Sequence, residues 1–229
     1  MVVRTAEAKL PATELTKPKP LLRGRFHQVG SVALLAVGPL IGLEASGTKA
    51  EVCAAVACFA VWAMLTTSAL YHRVRWSDAA RRRMRHADHS MIFVCIAGTY
   101  TAVAGLSLPD TDTWIVLGLV WGASVVGIVM RFVWLDAPKW AVALPYVAAG
   151  WIAVGAMPEF FHYLGVLGFS LMLASGVLYT IGAVVYALRR PDPWPMVFGY
   201  HEVFHACVVV AAALSLSLVA FVLLPALKA

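Results

Sequence analysis

The stretch VFHACVVVAAALSLSLVAFVLL, residues 203–224, decides the fold. It carries no Asp, Glu, Lys or Arg. As an α-helix it would span roughly 33 Å, enough to cross the ~30 Å hydrocarbon layer of a bilayer. Six more runs of this kind lie upstream, at approximately 28–45, 50–72, 88–107, 114–134, 140–158 and 163–188. Backbone N–H and C=O groups find no water in lipid, so each run must be a helix. None shows the period-two alternation of a membrane β-barrel strand. The expected fold is therefore an all-α integral membrane bundle of seven transmembrane helices over residues 27–229.

Composition points the same way. Of the 229 residues, 61% are hydrophobic and 13% charged, and the mean hydropathy is +0.80. A soluble domain has roughly 45–50% and about 25%, and could not hide this much apolar surface from water. This excludes a soluble enzyme and a secreted disulfide scaffold. Cys53, Cys58, Cys95 and Cys207 all sit inside apolar runs, without metal-type spacing, and read as small buried side chains.

The net charge of +6 does not indicate nucleic acid, because the basic residues lie in short runs between apolar segments. They report topology instead. Sixteen Lys and Arg fall in the N-terminal tail and in the loops after the second, fourth and sixth runs, against Lys49 and Lys228 on the other side. This places the N-terminus in the cytoplasm and the C-terminus outside. Residues 1–26, with six Lys or Arg and no long apolar core, read as a disordered basic cytoplasmic tail, not a signal peptide. The Arg81–Arg85 run reads as a topology determinant in contact with lipid headgroups.

Ionisable groups inside membrane spans are costly, so each needs a reason. Three clusters stand out: Ser68 to His72 closing the second run, His86-Ala87-Asp88-His89 opening the third, and His201-Glu202-Val203-Phe204-His205 opening the last. The topology puts all three at one depth, near the cytoplasmic face. Ser68 and His72 are one helical turn apart, as are His201 and His205, so each pair shares a face. His201 and His205 can grip one metal ion. His72 would complete a three-histidine set with an open position, as in catalytic zinc sites. Asp88 could then orient or deprotonate a water, and Ser68 could steady the water or a developing oxyanion. His201-Glu202-x-x-His205 also matches the His-Glu-x-x-His pattern in which Glu is a general base. With Asp88 as base, Glu202 would face the loop after the sixth run, or an arginine. His27 and His162 read as interfacial side chains, and His86 and His89 as interfacial or supporting ones.

At these residues the chain resembles the hemolysin III family, the bacterial branch of the progestin and adipoQ receptor superfamily that includes the adiponectin receptors. The resemblance rests on Ser68-x-x-x-His72, on Asp88-His89-Ser90-Met91-Ile92-Phe93 running into Ala97-Gly98-Thr99-Tyr100-Thr101, and on Gly199-Tyr200 leading into His201-x-x-x-His205. It covers about residues 20–225. It implies seven helices, a zinc ion held by His72, His201 and His205 near the cytoplasmic face, Asp88 holding a water there, and Ser68 as an accessory residue. The likeness of the wider superfamily to alkaline ceramidases implies hydrolysis of a lipid amide or ester, with membrane lipids as partners and the bacterial plasma membrane as location. Two other functions fit the same motif: a receptor or regulator of membrane lipid state with structural zinc, and a pore-forming hemolysin. No run carries the charged stripe that a conducting path needs.

Overall fold

The structure is a computed structural model that describes residues 19–134 and 136–228. Its helices are α1 (Arg25–Glu44), α2 (Thr48–Arg73), α3 (Asp78–Ser107), α4 (Asp110–Val133), α5 (Lys139–Gly150), a 3-10 segment (Ile152–Ala156), α6 (Met157–Leu188) and α7 (Tyr200–Leu218). A π-helical turn (Val219–Leu223) and α8 (Leu224–Ala226) extend α7. Among the described residues there is no strand, only a lone bridge between Trp194 and Phe198. Six helical tracts are long and apolar enough to cross a membrane. The surface is as apolar as lipid requires: Leu43, Val133 and Phe221 are each more than three-quarters exposed. The fold is that of an all-α membrane protein.

Five of the seven apolar runs correspond to one tract each. α3 begins ten residues before its apolar run, because Ser77 caps it by accepting a hydrogen bond from the Ala80 N–H at 3.4 Å. The remaining two runs fall on a single 50-residue tract, Lys139–Leu188. Gly165 breaks it at φ +63, ψ −175, a backbone conformation that strains any residue with a Cβ. Contacts on either side are centred on this glycine. The Phe161 and Phe169 rings meet at 5.3 Å, and the Trp151 indole N–H donates to Thr180 Oγ1 at 2.8 Å. The tract is therefore folded back on itself at Gly165. The apolar runs place this break at 159–162, yet those residues are helical and Phe160 is fully buried.

In lipid, helices associate through close packing of small residues. α2 and α3 do this most tightly. A Cβ on Gly98 would lie 2.3 Å from the Ala60 Cβ, and one on Gly105 would lie 2.9 Å from Cys53 Sγ. Both pairs define one antiparallel register. Continued toward the loop, it sets Asp88 opposite residue 70, between Ser68 and His72. Two small residues at the far end of the pair thus align the polar groups at the near end.

Two sequence expectations need correction. Residues 1–18 of the basic tail lie outside the described residues, but residues 21–24 form a turn against the segment that precedes α7. Leu21 N–H donates to the Met196 carbonyl at 3.0 Å and Leu22 N–H to that of Val197 at 3.2 Å, so this part is held on the bundle. Arg131, one of the sixteen basic residues assigned above to the tail and loops, is within α4 and buried, because its guanidinium meets His89 Nδ1 at 2.8 Å and donates to the Trp134 carbonyl at 3.1 Å.

Candidate metal centre

α2 ends where Val74 turns extended, which leaves Ser68 and His72 on its last two turns. α7 starts at Tyr200, where the Glu202 carboxylate accepts the Gly199 N–H at 3.0 Å. That start sets His201 and His205 on one face of the opening turns. α3 brings Asp88 by the register described above. All of these residues sit at the same end of the bundle.

His72, His201 and His205 come together. Their candidate donor atoms all lie within 4.8 Å of one another. His72 Nε2 faces His201 Nε2 at 3.2 Å. Two imidazole nitrogens on one tetrahedral zinc ion stand about 3.3 Å apart, given Zn–N bonds of about 2.0–2.1 Å. His205 Nδ1 is buried with no hydrogen-bond partner among the described residues, so no protein group competes for that nitrogen. Three clustered imidazoles with no thiolate form a nitrogen set that suits zinc. The residues present fit the ion that the sequence motif implies.

Asp88 is at the edge of this set, with its Oδ2 3.9 Å from His72 Nε2. Ser68 is buried beside the Asp88 carboxylate. The five residues singled out from the sequence thus occupy one site. Ser68, Asp88, His201 and His205 border a cavity lined farther on by Ile92, Ile96, Val103, Met172 and Leu218. Asp88 is the one acidic residue among its described lining residues. From Asp88 to Val103 along α3 is roughly 22 Å. One lipid's acyl layer occupies about 15 Å, half the hydrocarbon thickness.

Glu202 takes the second of the two roles the sequence left open. It is fully buried, and both of its oxygens are engaged: Oε1 pairs with the Arg23 guanidinium and Oε2 accepts from Gly199. It is a clamp between the N-terminal turn and α7. Removing one partner of a buried ion pair strands the other charge, at a cost of about 3–5 kcal/mol. Arg23→Ala is therefore expected to lower the thermal midpoint in detergent sharply while the metal content holds. An unchanged midpoint would contradict the clamp.

His86 and His89 lean toward α4. The His86 ring stacks on Phe132 at 4.8 Å, and His89, bonded to Arg131, accepts a hydrogen bond at its carbonyl from the Tyr146 hydroxyl at 3.1 Å. His162 packs beside Tyr163 near the Gly165 turn, away from the site. His27 is the residue that sequence reasoning missed. It is 2% exposed, and its ring lies parallel to that of His205, 3° apart at 3.8 Å. The signal was available: His27 opens the first apolar run at the same depth as the three clusters, and the rule applied to them covers it too.

Comparison with known proteins agrees with the motif. Residues 15–216 match the family described as haemolysin-III related. The chain is 28% identical to the "Hemolysin-3" of Bacillus cereus over 204 residues, covering 87% of this chain and 89% of that protein. It is 30% identical to the "Hemolysin-3 homolog" of Bacillus subtilis (strain 168) over 126 residues, covering 55% of this chain and 56% of that one.

Proposed function

The chain belongs to the haemolysin-III related family, and from that premise we propose that it is a seven-span bacterial plasma-membrane hydrolase that cleaves an acyl amide or ester of a membrane lipid at a zinc centre. One observation carries the reading. Three imidazoles cluster beside a carboxylate and a hydroxyl, and two of them, with the carboxylate and the hydroxyl, line a largely apolar cavity.

We count seven spans because Gly165 folds the 50-residue tract into two arms of roughly 39 and 34 Å, each long enough to cross. The excess of Lys and Arg on one side sets the N-terminus and the site at the cytoplasmic face and the C-terminus outside. Relatives from two Bacillus species support a bacterial plasma membrane.

His72, His201 and His205 would hold the ion, which supplies Lewis acidity and brings a water's pKa to about 7. The chain's own groups do the rest. The apolar lining takes the acyl chain and keeps bulk water from the reacting carbonyl. Asp88 accepts a proton at a carboxylate oxygen as water oxygen bonds to the acyl carbon. It returns that proton to the leaving nitrogen or oxygen as the acyl bond breaks, so a fatty acid and an amine or alcohol depart. Ser68, beside Asp88, would donate its hydroxyl to one carboxylate oxygen and leave the other to face the water.

A second reading also has an observation behind it. α2 and α7 meet over a short stretch, and His72 with His201 and His205 bridges it. A metal there would also act as a clamp in a non-catalytic regulator of membrane lipid. The test is to incubate purified zinc-loaded protein with a total bacterial lipid extract and follow released fatty acid by mass spectrometry, with and without a zinc chelator. Chelator-sensitive release is expected. A zinc-loaded protein that releases no fatty acid would favour the clamp.

A further inference from the structure

His27 lines the same cavity as Asp88, Ser68 and His205. Its ring presents a face, not a nitrogen, to His205, and it stands outside the set of imidazoles close enough to share an ion. Both of its nitrogens, Nδ1 and Nε2, are buried without a hydrogen-bond partner among the described residues. A buried imidazole N–H with no acceptor pays its full desolvation penalty, and native structures seldom leave such a group unmatched. The acceptors of the cavity, Asp88 and Ser68 among them, make no hydrogen bond to either nitrogen. A ligand in the cavity would, if it placed an oxygen beside the ring.

We propose that His27 is a ligand-binding residue. Its ring N–H donates a hydrogen bond to the acyl oxygen of the lipid in the cavity while its face rests on His205. The proposal rests on the reading of the cavity as an acyl-chain site. The stack explains how the ring is held. α1 packs on α2 and α7, and a Cβ on Gly30, one turn along α1, would lie 3.2 Å from Leu65 Cδ1. α1 therefore lies close enough to α2 and α7 to carry His27 over the metal set. Amide, ester and fatty acid product share the acyl oxygen, so the product is a usable probe.

The experiment measures binding of radiolabelled palmitate and of hexadecane to purified zinc-loaded protein, with metal content read in parallel. His27→Phe keeps the stacking surface and removes both nitrogens. Its palmitate affinity is expected to fall on the order of tenfold, the worth of one hydrogen bond to a charged acceptor. Hexadecane binding and zinc content are expected to hold. His27→Gln, which restores an N–H donor, is expected to recover part of the loss. If His27→Phe does not fold, His27→Leu makes the same comparison. Unchanged palmitate affinity would overturn the proposal. So would equal loss of both ligands, which would mark a packing role, or loss of zinc, which would mark a role in the metal centre. The two readings fail separately. A wild-type protein that hydrolyses lipid but binds no palmitate overturns the inference alone. A palmitate loss in His27→Phe without any hydrolysis by the wild type overturns the hydrolase alone.

Discussion

His205→Ala is expected to lose its bound zinc, falling from about one ion per chain to a small fraction at the same free metal concentration. His205 is 2% exposed and sits between His201 and the His27 ring, so no other imidazole is placed to replace it. His27 is face-on and would need to turn out of its stack. Cutting a three-nitrogen set to two removes the chelate geometry that a structural or catalytic zinc site depends on. Hydrolysis, if zinc-dependent, is expected to fall with it. Metal content by mass spectrometry, on variant and wild type purified together, checks this. Full zinc occupancy in the variant would place the ion elsewhere.

Asp88→Ala is expected to keep zinc and lose turnover by about 10²–10⁴, the usual contribution of a positioned general base. Asp88 stands 3.9 Å from His72 and is outside the imidazole set, so its removal leaves the nitrogen donors in place. Ser68 loses a polar neighbour, but the α2–α3 register depends on Gly98 and Gly105 farther along. Folding is therefore expected to persist. The check is fatty acid release at matched zinc content. Wild-type turnover in Asp88→Ala would remove the carboxylate from the chemistry and leave a hydrolase without its base.

Much of this was legible because lipid imposes simple rules. An apolar run near 20 residues has no alternative to a helix, and α1, α2 and α4 end within a few residues of their runs. Hydropathy locates hydrocarbon and not helix ends, which is why the first turns of α3, carrying Arg81 to Arg85, were not read as helix. The reversal at Gly165 was hidden among other glycines in the same tract, and polar Glu159 and His162 drew the break upstream. That these five residues lie together was legible because spacing places His201 with His205 and Ser68 with His72, while charge bias places all the clusters at one depth. What spacing cannot show is which ring faces inward when a histidine stands alone. His27, judged by itself, looked interfacial. Only the packing of α1 against α2 and α7 brings it onto His205. Glu202 was ambiguous for a similar reason, since its partner Arg23 is 179 positions away in the chain.

Zinc K-edge X-ray absorption on the purified, zinc-loaded protein tests the heart of the account. Three imidazole nitrogens near ~2.0 Å, with the remaining coordination from oxygen, are the expected result, and that pattern should vanish together in His72→Ala, His201→Ala and His205→Ala. Sulfur scattering, or an imidazole signal that survives loss of His72, would contradict a centre assembled from α2 and α7.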